Sequence, residues 1–372
     1  MRLETQCEQA FARHETFFPR YGWFKKAVDA AARDPESFAR EDATISLGVG
    51  KNMVRAIRFW GIAAKVIEPV PSKRNQVVPT AFGRTVFGDA DTSWDPFLED
   101  PATLWLLHWR LLAPPCRAPV WWSVFNDFTA MEFTEQDLMR YLVSEFSHVR
   151  GWKPPQPSSV RKDIECMLHM YVPRGGERAV DDVVDSPFRQ MGIIDRVAGA
   201  DRTYRFVGSS KPTLPPEVVT AAALEFLSWD RSVERTAVLA RLATAPAGPC
   251  RVFRISEDVL AEAIEAVCKR WPDRLNINAP AGAPQVTFKE DPGLLASALL
   301  LAYYRTKQAR ADVLHDHGQL ESERPYPTLP FGDGGAGAVR ELAADYGVDE
   351  PSQRPKSLRG KRPRSSGRGG AK

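Results

Sequence analysis

The chain has 372 residues, 43% of them hydrophobic and 26% charged, which is enough apolar mass for two or three cores and excludes a disordered chain. Its net charge of +3 hides an uneven split. Residues 351–372 hold eight Lys or Arg and no acid, so the first 350 residues carry 42 basic against 47 acidic side chains and exclude whole-surface attraction to nucleic acid; contact with it must come from local patches.

In chain order, a first helix ends near Ala32 at the breaker Asp34-Pro35, and a second is expected over Glu36 to Leu47. Gly48-Val49-Gly50 then supplies a turn, and Lys51 opens a third helix, completing a helix-turn-helix pattern. At about 100° per residue, Met53, Val54, Ile57, Trp60, Gly61 and Ala64 share an apolar face. Lys51, Arg55, Arg58 and Lys65 form a stripe opposite it. A cationic row on a packed helix attracts a duplex phosphate backbone, and Asn52 beside it could reach a base edge; a solvated helix face is the bland alternative.

Ile67 to Val78 reads as an edge hairpin with Lys73 and Arg74 at its tip, a wing in the winged-helix sense. Thr80 caps the next helix and Gly83 permits close packing, so a first domain spans 1–92. Residues 93–151 form an aromatic-rich helical bridge in which Trp105, Trp109, Trp121 and Trp122 are expected as core. Thr134 caps a helix running to about His148, with Asp137 in its first turn.

A middle module, 152–212, opens after Pro154-Pro155-Gln156-Pro157 with a helix capped by Ser158 or Ser159. It places Arg161 and Lys162 at its exposed N-terminal end, while Asp163 and Glu165 dilute that charge. A short helix ending at Gly192 and a hairpin around Gly199 follow. A second winged-helix-like module is expected over 213–317, with helices at Val218 to Trp229, Ser232 to Ala243 and Ser256 to Trp271, then two alternating strands and a final helix over Leu294 to Arg310. Residues 318–372 read as a flexible region ending in a basic tail, which suits a nonspecific DNA tether. The fold class is therefore mainly α with small β-hairpins (α+β), as tandem winged-helix-like modules joined by a helical bridge.

Few constellations carry chemistry. Gly48-Val49-Gly50-Lys51 lacks the first glycine, the Ser or Thr after Lys and the preceding strand of a phosphate loop. His315-Asp316-His317 has no partner spacing for a metal and reads as a polar loop. Five scattered Cys without a CxxC pair argue against disulfides or a zinc ribbon. With no run of about 18 apolar residues and no signal-peptide core, a cytoplasmic protein without a membrane span is expected. His14 and Glu15 offer a base and an acid or metal ligand, with Arg20 available for a phosphate; capping or surface roles are the competing reading.

Three stretches resemble a bacterial family first catalogued as of unknown function, whose members occur among single-strand DNA phosphorothioation defence genes. They are His14-Glu15-Thr16-Phe17 with Arg20 and Gly22-Trp23; Leu47 to Val54; and Leu98 to Trp109. The chain is similar to the nickase branch of that family over residues 11 to 305. The resemblance implies nicking of one strand of double-stranded DNA, a Mg or Mn ion to activate water, and partner proteins that incorporate sulfur. It puts the catalytic role on His14 or Glu15, and it leaves a homodimer open. A non-enzymatic DNA-binding or site-recognition subunit, or a transcriptional regulator, of the same kind of system is the alternative.

Overall fold

Gly22 and Gly48, both in the left-handed region (φ 75° and 64°), set the first borders of regular structure. After a single turn α1 (Leu3–Gln6) come α2 (Trp23–Arg33), α3 (Ala43–Leu47) and α4 (Lys51–Ala63). The helix expected over 36–47 is only its last five residues. Asp34 accepts from the Glu36 N–H (2.9 Å) and Arg40 pairs with Asp34 and Asp42, so local side-chain bonds hold residues 34–42 in turns instead. Helices α2 and α4 cross at Gly61, where a Cβ would lie 3.0 Å from the Ala27 Cβ and 2.9 Å from Ile67.

The hairpin β1 (Ile67–Pro69) and β2 (Val77–Pro79) pairs antiparallel with a proline ending each strand. The Thr80 hydroxyl accepts from the Gly83 N–H (2.9 Å) and starts α5 (Ala81–Phe87). A side chain at Gly83 would stand 1.9 Å from the Val66 carbonyl oxygen, which explains the glycine.

Asp100 and Pro101 start α6 (Pro101–Leu112), which is followed by α7 (Pro119–Asn126). Every α6 residue from Ala102 to Leu112 is buried, so this helix is the centre of the molecule and its tryptophans are core, as expected. Its polar side chains are paired accordingly. Arg110 and the Trp109 indole N–H meet Glu225 at 2.5 and 2.9 Å, and His108 bridges the Tyr171 hydroxyl (2.7 Å) and the Val252 carbonyl (2.8 Å). Burial pushes His108 down to about 4, so the ring is neutral at physiological pH.

The structure is a computed structural model describing residues 3–89, 91–173, 185–208, 211–229, 235–315 and 336–347. The basic tail, Asp316, His317 and the helix start expected at Ser232 lie outside these residues. Among the described residues it is a mixed α+β protein with three small antiparallel sheets, and no helix is long and apolar enough to cross a membrane.

Two later units share a sheet topology in which a strand, then helices, then a hairpin follow one another. The first runs β3 (Glu132–Thr134), α8 (Glu135–Ser147), α9 (Pro157–Tyr171), β4 (Ile194–Arg196) and β5 (Thr203–Phe206), with sheet order β3-β5-β4. Thr134 caps α8 as expected, and Asp137, expected only as an acid in the first turn, completes a capping box with it; these bonds hold the Asp137 carboxyl down at about 2. Helix α9 departs from expectation at its start: Gln156 is the N-cap and Pro157 the first residue, with no serine side chain capping.

The second unit runs α10 (Pro216–Ser228), β6 (Thr236–Val238), α11 (Leu239–Thr244), α12 (Pro249–Phe253), α13 (Glu257–Arg270), β7 (Leu275–Asn278) and β8 (Gln285–Phe288), with sheet order β6-β8-β7. Thr236–Val238 is thus a strand where a helix was expected. Helix α14 (Pro292–His315) packs along α10, and α15 (Ala336–Ala344) packs on α14. Buried side chains from all of these units join in one hydrophobic core.

Candidate nucleic-acid interface

Residues 11–21 contain no helix or strand, and Ala12, Glu15 and Thr16 stand in the left-handed region (φ 52°, 51° and 66°). Such residues persist where their surroundings over-determine them. Here the anchor is His14. Its Nε2 lies 2.6 Å from Asp163 Oδ1 of α9, and the same oxygen accepts from the Ala12 N–H at 2.9 Å. The imidazole is 1% exposed, stacked on Trp60 of α4 and edge-on to Trp121 of α7.

Further along, the Trp60 indole N–H donates to the Phe17 carbonyl (2.8 Å), and the Arg189 guanidinium covers the Phe18 ring. Phe11 packs edge-on against Phe146 and Trp152. The segment is therefore a joint seated between α4 on one side and α9 on the other. Asp163 is 2% exposed, so it does not dilute the charge of α9 as expected; only Glu165 remains on the surface. Burial raises the Asp163 carboxyl, opposed by His14 and the Ala12 N–H.

Above this anchor, Gln9, Arg13, Glu15, Lys153, Gln156 and Ser159 line an open groove of about 530 Å³. It lies between the joint and the N-terminal turn of α9. Glu15 is half-buried and stands 3.5 Å from Arg55, which ties the groove to the cationic row of α4. Lys51, Asn52 and Arg55 are exposed along that helix. Arg58 is half-buried and donates to the Arg74 carbonyl at the hairpin tip (3.5 Å), and burial lowers its pKa. Lys73 and Arg74 are exposed at that tip, as Arg161 and Lys162 are on α9. Arg20 packs its guanidinium over Phe17 and Trp23 within the joint.

Lys65 does not belong to the row. Helix α4 ends at Ala63, Lys65 takes φ 57°, and its Nζ donates to the Arg110 and Ala113 carbonyls at 2.6 Å each. It caps the C-terminal end of α6, where a cation is favoured. Burial lowers it to about 8 from 10.5. Between these values the unfolded chain binds more protons than the folded one, so this group adds stability as pH rises. The stability of the wild type relative to Lys65→Met should climb by about 3 kcal/mol from pH 8 to 10.5, measured by urea unfolding. A constant difference would mean that Lys65 titrates normally.

Spacing did not point to Arg13, Lys153 or Asp163 as members of this site. The first two flank motifs that were singled out, but nothing local places them together. Among the described residues no group of three or more His, Cys, Asp and Glu could hold a metal ion, so the protein's own side chains do not form a closed divalent site there.

Residues 11–304 match the family described as Protein of unknown function (DUF4007). Two crystal structures, one of SspB and one of magnesium ion-bound SspB, are similar to this chain. Each is 34% identical, with a TM-score of 0.76, over 83% of this chain and 92% of the other. No curated protein matches the chain.

Proposed function

The chain belongs to the DUF4007 family, and from that premise we propose that it is the DNA-binding, strand-nicking component of a single-strand DNA phosphorothioation defence system. One observation carries the DNA reading. The Glu15–Arg55 contact joins the α4 row, with Lys51 and Arg55, to the groove beside α9, with Arg13 and Lys153, although the body of the chain is acidic. The order of elements supports winged-helix modules: two helices, or three in the last unit, followed by a hairpin, with the strand before the helices, where present, added beside the hairpin's second strand.

The three units are not equivalent. The helix before the hairpin presents Lys51 and Arg55 in the first and Arg161 and Lys162 in the second, but Asp258, Glu262 and Glu265 in the third. The third therefore repels phosphate.

Nicking hydrolyses one phosphodiester. Water attacks phosphorus, one ester oxygen leaves with the electron pair, and charge gathers on the other oxygens. Glu15 is the carboxylate in the groove, in reach of an incoming water as general base, with Arg55, Arg13 and Lys153 to hold the phosphate. His14 has its ring in the interior and acts as a positioning residue for the Ala12–Thr16 turn. A Mg or Mn ion in the groove would rest on the Glu15 carboxylate together with water and phosphate oxygens and would help activate the attacking water; no step is routed through it.

A second reading, a DNA-binding subunit without nuclease activity, is favoured by the burial of His14. Supercoiled plasmid incubated with the protein and Mg or Mn decides between them. Conversion to open circles is expected. Salt-sensitive binding without conversion, across metals, pH and added partner proteins, would leave the second reading standing.

A further inference from the structure

Helix α9 has a groove along each flank. Ser159 lines the one already described, while Arg161 and Ile164 line another of about 730 Å³, bounded by α8 and the tip of the β4–β5 hairpin. This second groove adds Arg140 and Gln136 from α8 and Asp201 and Arg202 from the tip, over a floor that includes Met139. We propose that it seats a phosphodiester backbone, so that α9 is the helix entering the major groove of a duplex with one strand's backbone on each side. The inference rests on the DNA reading above and names how that ligand lies.

The charges support it. Arg161 and Arg202 are exposed and make no ion pair among the described residues, which leaves both guanidinium forks free for phosphate oxygens. Arg140 is tied to Asp137 one turn back, and Glu135 accepts from the Tyr204 hydroxyl (3.3 Å), so both of these side chains have partners within the protein. Asp201 and Glu135 are the carboxylates that oppose an anion there; the Tyr204 hydroxyl orients Glu135 without removing its charge, while Asp201 stands exposed at the tip.

The dimensions agree as well. A helix with its side chains is about 10–12 Å across, and the B-DNA major groove is about 12 Å wide, so a helix lying in it meets a backbone on both flanks. On the far flank the contacts would be Arg13 and Lys153.

Binding of a fluorescent duplex across a KCl series tests this. Arg161→Ala/Arg202→Ala should lower the slope of log affinity against log salt by about 2, at roughly 0.9 per phosphate contact. Asp201→Asn should bind several-fold tighter, an increase that no misfolded variant can mimic. If both variants match the wild type while Lys51→Ala/Arg55→Ala weakens binding, the second backbone seat is wrong and the DNA reading stands. If the wild type itself shows no salt-dependent binding, both fall.

Discussion

Replacing His14 with Ala should destabilise the fold by about 3–5 kcal/mol, the range for leaving a buried charge without its partner. The variant leaves the Asp163 carboxylate, 2% exposed, with the Ala12 N–H as its remaining donor, and it removes a ring packed against Trp60, Phe59 and Trp121. Urea unfolding measures the loss. A second change, Asp163→Asn, removes the orphaned charge and should restore part of it, which separates electrostatics from the empty volume. The sign with pH follows from burial raising the Asp163 carboxyl. A raised acid contributes stability below its unfolded value of about 4 and loses it as pH climbs through the folded value. Without His14 the group rises further, so the deficit of His14→Ala should shrink toward acid pH. A variant that unfolds like the wild type at all pH values would show that the pair anchors nothing.

Glu15→Gln should move two measurements in opposite directions. As general base, Glu15 accounts for about 10²–10⁴ in rate, and plasmid nicking should fall by that factor. As a negative charge 3.5 Å from Arg55, it opposes phosphate, and its loss should tighten DNA binding. The contact with Arg55 is long and Arg55 itself is exposed, so stability should change by less than about 1 kcal/mol. Undiminished nicking would remove Glu15 from the chemistry; weakened binding would mean that the carboxylate orients Arg55 rather than competing with it.

The sequence is legible wherever local chemistry decides. The apolar stripe of α4, the edge hairpin, the Thr80 cap with Gly83 behind it and the Thr134 cap of α8 all lie within a few residues of their partners. Strands β3 and β6 escaped because three residues carry no period; pairing with β5 and β8 makes them strands. Lys65 was misplaced because a helical wheel continues past the point where the backbone turns to φ 57°. The groove was hidden for a related reason. Gln9 donates to the Lys153 carbonyl across 144 positions, and Asp163 is bound to His14 across 149. Asp163 reads as a surface charge on a polar helix until the joint is laid against it.

That joint also sets what can be exchanged between members of the family. His14 and Asp163 belong to different stretches of chain but share one hydrogen bond in a dry interior, so neither is tolerated without the other. A chain with an apolar residue at position 14 should carry a neutral one at 163, and a transplanted α9 would have to bring its own residue 14. The unit of inheritance here is the helix together with the loop that closes over it.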